Sequence, residues 1–238
     1  MLESRLMLVF QLVLASNSPR RRSLLALTGH PFSVQPASIN EDPLPGETPG
    51  RYVARLAEGK ARAVEGKARA VGTAEKDLPE NSLILGSDTT VALGMEILGK
   101  PRDEDEALEM LDKLRAKTHT VYTALTVYDP ASGELRTELC ASPVPMRDYT
   151  SAEMQAYVKT GDPLDKAGAY AIQHAGFHPV EGFAGCFASV MGLPLCHLER
   201  ALRAFGCPSP VDVPSACQAE LNYACPVFPA ILRGETAG

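Results

Sequence analysis

A short segment rich in serine and arginine is the first part of this sequence whose residue types suggest chemistry. Residues 16–22 read Ser-Asn-Ser-Pro-Arg-Arg-Arg and follow an apolar run, residues 8–15, that predicts a buried strand. Its Ser-Pro pair is typical of a helix start. Arg20 to Arg22 then lie at a helix N-terminus, where the dipole is already positive, so an anion is needed between them. The segment predicts a phosphate site; the alternative is a solvated basic turn.

Two carboxylates in other segments could serve a phosphate site. Glu41 belongs to an acidic pair in a proline-rich loop, residues 31–50, where solvated acids are common. Asp88 follows a short apolar run, residues 82–86, and so lies at the end of a predicted strand, where open α/β sheets place ligand chemistry. A turn-capping aspartate is the alternative. Carboxylates hold Mg²⁺ or Mn²⁺ and can accept a proton from water.

Candidate lysines lie on a long predicted helix with an internal repeat. The unit Glu-Gly-Lys-Ala-Arg-Ala-Val occurs twice in succession, at residues 58–64 and 65–71. Seven residues advance a helix by ~10.5 Å and turn it by only ~20°. Lys60 and Lys67 therefore lie along one side, and either could reach a phosphate; both could instead be solvated.

A later glycine-rich segment offers groups that could bind the rest of a ligand. Residues 161–173 combine charged side chains, among them Asp165 and Lys166, with small residues, a tyrosine and Gln173, whose amide can read a base edge. A generic glycine-rich loop has the same composition. Upstream, Lys100 precedes a proline and is therefore expected to be extended.

Alternating strands and helices are expected to position these groups. The predicted strands cover residues 8–15, 82–86, 91–93, 97–98, 118–128, 134–146 and 182–190. The predicted helices cover residues 18–28, 48–71, 103–114, 150–160 and 194–205. The strands at 118–128 and 134–146 form a hairpin across Asp-Pro-Ala-Ser-Gly.

Four motifs in order resemble those of the Maf family of nucleoside triphosphate pyrophosphatases. They are Ala-Ser-x-Ser-Pro-Arg-Arg from residue 15, Gly-Ser-Asp-Thr from residue 86, Leu-Gly-Lys-Pro from residue 98 and Asp-Lys-Ala-Gly-Ala-Tyr-x-Ile-Gln from residue 165. The resemblance covers about residues 11–205. It implies an α/β fold with a mixed twisted sheet and two lobes around a deep substrate cleft. It also implies hydrolysis of a nucleoside triphosphate between the α and β phosphates, a divalent metal cation, and commonly a homodimer.

The resemblance also implies roles for single residues. The residues that hold phosphate would be Ser16, Arg20, Arg21, Lys60 and Lys100. The positions tied to substrate choice are Arg20, Thr89 and Gln173. Glu41 and Asp88 would serve the metal and the attacking water, with Asp88 as proton acceptor. The motif that contains Asp165 and Lys166 resembles the branch that prefers dTTP and UTP, so pyrimidine nucleotides, modified ones included, are the expected substrates.

The sequence departs from the family pattern in two places. His174 stands where the family usually has glycine, at the edge of the expected base pocket. The chain also continues past the family pattern, which divides it into a Maf-like domain, residues 1–206, and an extension, residues 207–238. That extension carries five prolines and three cysteines but no motif, and we expect it to pack on the surface.

Composition limits the remaining function classes. The chain has 238 residues and a formal net charge of −6, which argues against nucleic acid as a partner. No apolar run approaches the ~20 residues of a membrane span, and the first residues fit a signal peptide poorly. We therefore expect a cytoplasmic protein without a membrane partner. The six cysteines contain no Cys-x-x-Cys pair and are expected to be reduced packing residues, with a metal or disulfide role as the alternative.

Two functional hypotheses remain. The first is a metal-dependent nucleotide pyrophosphatase, which could clear noncanonical nucleotides. The second is a regulatory protein that senses nucleotides and affects cell division or septum formation. Glu41 and Asp88 favour the enzyme, because a pure polyphosphate binder gains nothing from carboxylates beside phosphates. A dinucleotide-binding oxidoreductase is excluded, because no Gly-x-Gly-x-x-Gly follows the first strand.

Overall fold

The computed structural model describes residues 10–71, 78, 81–236 and 238, without the side chains of residues 67–71. In this part of the chain one mixed sheet contains β1 (Gln11–Leu14), β2 (Phe32–Val34), β3 (Ser82–Leu93), β4 (Glu96–Leu98), β5 (Thr118–Tyr128) and β6 (Leu135–Pro145). The strand order is β2-β1-β3-β5-β6, with β4 paired to β3. The pairs of β1 with β2 and β3 are parallel, and the other pairs are antiparallel. The predicted mixed α/β sheet is confirmed; a division into two lobes stays a prediction.

Helices cover both faces of this sheet. They are α1 (Pro19–Ala26), α2 (Pro49–Val71), α3 (Glu104–Leu114), α4 (Ser151–Val158), α5 (Phe187–Val190), α6 (Leu195–Ala204), α7 (Val213–Leu221) and α8 (Phe228–Leu232). The predicted caps are present: Ser18 accepts from the third amide of α1, Asp103 caps α3, and Thr150 forms a capping box with Glu153.

Alternation along the strands separates the two faces. Leu83 and Leu85 of β3 pack into a cluster with α1 and α6, whereas Ile84 packs with Ala61 and Val64 of α2. Even-numbered residues of β3 therefore face α2, and odd-numbered residues face the opposite layer. The alternation of even- and odd-numbered residues along β3 decides which functional side chains lie on each face of the sheet.

A gap along one edge of β3 opens the sheet for a ligand. β1 pairs with β3 only as far as Leu14 opposite Leu85, and β4 pairs with the same strand from Val91 onward. Because β5 occupies the other edge throughout, residues 86–90 have no strand beside them on the first edge in the described chain. Asp88 lies in this gap. The prediction that it follows the end of a strand is wrong, because antiparallel pairing with β5 keeps β3 extended as far as Leu93.

Close packing of α2 on β3 occurs at Gly86. A Cβ atom at Gly86 would lie 2.0 Å from the carbonyl oxygen of Ala57 and 2.9 Å from the amide nitrogen of Ala61. Only glycine permits this approach, which brings the next turn of α2 over the gap in the sheet.

Three local predictions are corrected by the structure. Strand β2 lies in the segment expected to be a loop. The strand expected at residues 182–190 is absent: residues 181–186 are irregular and α5 follows. The extension forms α7 and α8, and its buried Val213 joins the main core cluster, so it does more than cover the surface. In the described part of the chain, no helix combines the length and apolarity needed to cross a membrane.

Candidate active site

A cavity of about 610 Å³ lies at the gap in β3. Its wall includes all eleven predicted site residues, which come from distant parts of the sequence. They are Ser16, Arg20, Arg21, Glu41, Lys60, Asp88, Thr89, Lys100, Asp165, Lys166 and Gln173. Their convergence is a structural fact, whereas the role predicted for each of them stays a prediction.

One lysine bridges the two predicted catalytic carboxylates. The Nζ atom of Lys60 lies 2.6 Å from Oδ1 of Asp88 and 2.7 Å from Oε1 of Glu41. The side chains of Lys60 and Asp88 are each only 10% exposed, whereas that of Glu41 is 55% exposed. The first copy of the helix repeat thus supplies the lysine that reaches the cavity; the side chain of Lys67 lies outside the described residues.

Burial controls the proton affinity of Asp88. Desolvation raises the pKa of its carboxyl above the usual value, and the positive charges of Lys60 and Arg21 act in the opposite direction. Glu41 adds a smaller upward shift of that pKa by like-charge repulsion. Asp88 is consequently a carboxylate whose tendency to take up a proton is greater than that of a solvated aspartate.

Arg21 is held rigidly on the opposite side of β3. Its Nε donates to the carbonyl oxygen of Gly192 at 2.9 Å, Nη1 donates to Ser16 Oγ at 3.3 Å, and Nη2 donates to Thr89 Oγ1 at 3.2 Å. All three acceptors are uncharged, so these bonds orient the guanidinium without neutralising it. Burial is the main factor that lowers its pKa. A fixed, poorly solvated cation of this kind is suited to an anionic ligand.

The other two arginines of α1 differ in their surroundings. Arg20 lines the cavity and lies 3.9 Å from Asp165 in an exposed ion pair. Arg22 is exposed, hydrogen-bonds to Asn17 and does not line the cavity. Only two of the three arginines can therefore act on a ligand there.

Lys166 is buried, and its ammonium is already satisfied by the protein. Its Nζ donates to the carbonyl oxygen of Asp162 at 2.6 Å, to the carboxylate of the same residue at 2.9 Å and to Asp165 Oδ1 at 2.6 Å. In this geometry Lys166 stabilises the 3₁₀ turn Asp162–Asp165 at the rim of the cavity.

The same turn anchors the segment that carries Gln173. Tyr157 donates its hydroxyl to Asp162 Oδ2 at 2.7 Å and accepts from the amide of Ala171 at 3.0 Å. The side chains of Gln173 and Lys100 line the cavity, are exposed and make no hydrogen bond to the described part of the chain. Both therefore remain available to a ligand.

Comparisons with known proteins show the family of this chain. The family model described as "Maf-like protein" matches residues 11–205. This chain belongs to the Maf family. It is 45% identical over 195 residues to the dTTP/UTP pyrophosphatase of Geobacter sp. (strain M21), covering 82% of this chain and 95% of that protein. It is 46% identical over 207 residues to the dTTP/UTP pyrophosphatase of Anaeromyxobacter dehalogenans (strain 2CP-1), covering 86% of this chain and 98% of that protein.

The cavity contains the two carboxylates predicted to serve a divalent cation, those of Glu41 and Asp88. Glu41 and Asp88 are hard oxygen donors suited to Mg²⁺ or Mn²⁺. No group of three or more candidate ligands occurs among the described residues. The two carboxylates therefore fit the binding mode in which phosphate oxygens of a substrate and water complete the coordination of Mg²⁺.

Sequence reasoning missed a buried pair behind the cavity wall of this Maf-like chain. Tyr170 lines the cavity, and its hydroxyl lies 2.8 Å from Nε2 of buried His119 on β5. Burial lowers the pKa of His119 to about 4, so the imidazole is neutral at physiological pH. The available signal was that His119 has the same parity along the strand as Val121, Leu125 and Val127, but its partner is 51 residues away in sequence.

His174, which follows Gln173 in the sequence, is held by local contacts. Its Nδ1 accepts from the amide of Phe177 at 2.9 Å, and its ring packs edge-on against Tyr157 with centroids 4.6 Å apart. His174 does not line the cavity. Its hydrogen bond and ring contact hold His174 beside Tyr157, and the expectation that it borders the base pocket stays a prediction.

Proposed function

We propose that this chain is a nucleoside triphosphate pyrophosphatase that acts on dTTP and UTP and releases the monophosphate and pyrophosphate. The named relatives support this reaction and substrate class. The structural observation that carries the proposal is the buried Lys60–Asp88 pair, which shares one cavity with the fixed guanidinium of Arg21. The relatives are enzymes, so the alternative of a nucleotide-sensing regulatory protein gains no support.

The phosphate chain would bind between α1 and Lys100. Arg21 brings an oriented charge whose hydrogen-bonded partners are all uncharged, and Arg20 can leave its exposed pair with Asp165 at little cost. The N-terminus of α1 adds its dipole. Phosphoryl transfer needs this positioning and charge neutralisation more than covalent help from the protein.

Asp88 would accept the proton of the attacking water. The water oxygen forms a bond to a phosphorus of the α–β anhydride, the bridging P–O bond breaks, and pyrophosphate or the monophosphate leaves, depending on which phosphorus is attacked. The water proton passes to the carboxylate, whose raised pKa suits it to that task. Lys60 holds this carboxylate in place through its 2.6 Å contact.

A divalent cation, Mg²⁺ or Mn²⁺, is part of the proposal. Glu41 and Asp88 would hold it together with phosphate oxygens, and it would supply charge neutralisation at the phosphates. Since Lys60 contacts both carboxylates, its ammonium and the cation would share the same two groups.

Gln173 would read the base. Its amide offers one donor and one acceptor, which match a carbonyl and the N–H of uracil or thymine. Cytosine presents the reversed pattern, an acceptor at N3 beside an amino donor, so an amide held by the bound substrate in the orientation for uracil would leave polar groups unpaired with cytosine, at ~1–3 kcal/mol each. The exposed, unbonded side chain at the cavity wall supports this role.

The wider biological setting is also proposed. We propose that the enzyme is cytoplasmic and homodimeric and that it removes unwanted nucleotides, in keeping with the family resemblance. The six cysteines are free thiols, as is usual in a reducing compartment. The net charge of −6 supports a small nucleotide rather than a nucleic acid as partner.

A screen of pyrophosphate release tests the proposal. The protein is incubated with UTP, dTTP, CTP, ATP and GTP, with and without Mg²⁺. We expect Mg²⁺-dependent release that is fastest for UTP or dTTP. Fastest release from a purine triphosphate would contradict the assignment of dTTP and UTP as substrates. Nucleotide binding without release of pyrophosphate would favour the nucleotide-sensing regulatory protein.

A further inference from the structure

We propose that the C-terminal extension takes part in phosphate binding, with Tyr223 as a positioning residue that acts on Arg21 through α5. The inference rests on the proposed function, because it assigns the guanidinium of Arg21 to the phosphates. Tyr223 lies beyond residue 205, where the match to the family model ends. The positioning device thus comes from this chain's own added segment.

Tyr223 holds the segment that leads into α5. Its hydroxyl donates to the carbonyl oxygen of Gly185 at 3.0 Å and lies 3.4 Å from that of Phe183. Its ring also packs with those of Phe183 and Phe187, at centroid distances of 5.7 and 5.4 Å. Burial raises the pKa of the hydroxyl to about 12, so it remains a donor. Cys186 is itself buried in the core, and the contacts of Tyr223 add restraint to the irregular residues 183–185 that precede it.

The other end of α5 holds Arg21. The turn after the helix ends at Gly192, whose φ of +111° suits glycine and whose amide bonds back to Ala188 and Ser189. The carbonyl oxygen of Gly192 accepts from Arg21 Nε at 2.9 Å and from Ser87 Oγ at 3.0 Å. A shift of α5 would therefore move the acceptor that orients the guanidinium.

A second hydrogen bond fixes α5 to the sheet beside the same site. Thr123 Oγ1 lies 2.8 Å from the carbonyl oxygen of Ser189 and 3.0 Å from Thr89 Oγ1, which in turn accepts from Arg21. The four-residue α5 is too short to be rigid alone, so its position depends on the burial of Ala188 in the core and on the contacts at its two ends. Tyr223 secures one end, and the bonds around Gly192 secure the other.

The alternative is that the extension only covers the core. Val213 and Ile231 are buried, so removal of the whole segment would expose apolar surface and is a poor test. Tyr223→Phe is sharper, because it keeps the ring contacts and removes the hydroxyl bonds. Asp212→Ala is the matched control: it removes the α7 N-cap, which touches Ser215 and not α5.

The experiment measures kcat and KM for UTP and CTP, together with Tm, in the full-length chain. For Tyr223→Phe we expect kcat/KM to fall about three- to tenfold for both substrates alike, mostly through KM. Asp212→Ala should lower Tm and leave kcat/KM unchanged. A Tyr223→Phe protein with lowered Tm and wild-type kcat/KM would overturn the inference, as would a loss restricted to one base.

A double-mutant cycle with Arg21→Lys tests whether the effect passes through Arg21. Lysine keeps the charge but loses the Nε–H that donates to Gly192, so the Tyr223→Phe effect should largely vanish in that background. Additive losses would contradict the inference. Absence of pyrophosphate release by the wild-type protein would instead contradict the proposed function, so the two failures are distinguishable.

Discussion

Replacement of Gly86 by alanine tests whether the spacing between α2 and β3 sets the geometry of the site. The added Cβ would lie 2.0 Å from the carbonyl oxygen of Ala57, a backbone atom that cannot rotate away. Since Cβ contacts below 3.0 Å essentially do not occur, α2 must withdraw by at least about 1 Å. Lys60 lies one turn further along α2 and would withdraw with it.

The expected magnitude follows from that displacement. Misplacement of a catalytic contact by ~1 Å can cost ~10²-fold, and we expect kcat/KM of Gly86→Ala to fall about 10- to 100-fold. Overpacking adds ~1–3 kcal/mol of destabilisation, which lowers Tm by several degrees in a chain of this size. Lys60 would have to extend to recover its 2.6 Å contact with Asp88.

The assay is steady-state pyrophosphate release from UTP, with Tm measured on the same samples. Gly66→Ala is the matched control: it lies on the same helix, and a Cβ there meets nothing within 4 Å. We expect Gly66→Ala to raise the free energy of unfolding by the ~0.5–1 kcal/mol that alanine gains over glycine in a helix, and to raise Tm slightly. Its kcat and KM should be unchanged. A folded Gly86→Ala protein with wild-type kcat/KM would refute the reasoning.

Three further predictions concern single groups. Burial raises the pKa of Asp88, and only its ionised form can act as a base, so kcat/KM should fall as the pH drops through that raised pKa. Asp88→Asn should lower kcat by ~10²–10⁴-fold and abolish this acid limb of the pH–rate profile. Arg21→Ala should lower kcat/KM for every nucleotide, whereas Arg22→Ala should leave kcat/KM unchanged. If both variants keep wild-type kcat/KM, the basic turn is a solvated surface segment and does not bind phosphate. Gln173→Ala should narrow the ratio of kcat/KM between UTP and CTP more than it slows hydrolysis in general; a uniform loss would remove its base-reading role.

Local sequence signals predicted much of the fold. Caps at Ser18, Asp103 and Thr150 act through contacts within three residues, so the sequence alone contains them. The hairpin of β5 and β6 was equally readable from its alternation and turn. The candidate site residues were found because they belong to short motifs, yet their mutual geometry was not visible.

The errors arose where tertiary contacts decide the structure. β2 is only three residues long and exists through pairing with β1. The apolar stretch before Gly192 was interpreted as a strand although it has no clear period, and packing selected α5 instead. The polar run after Gly86 masked the middle of β3, residues 87–90, which β5 holds extended. Contacts such as Lys60 with Asp88 join residues 28 apart and follow no local rule.

The most direct test of the central claim is product analysis by ³¹P NMR with UTP and Mg²⁺. The account predicts that the wild-type chain forms UMP and pyrophosphate in equal amounts, and that folded Asp88→Asn forms almost none over the same time. UDP and inorganic phosphate as products would contradict the proposed site of cleavage. Unchanged UMP formation by Asp88→Asn would contradict the role of the buried Lys60–Asp88 pair.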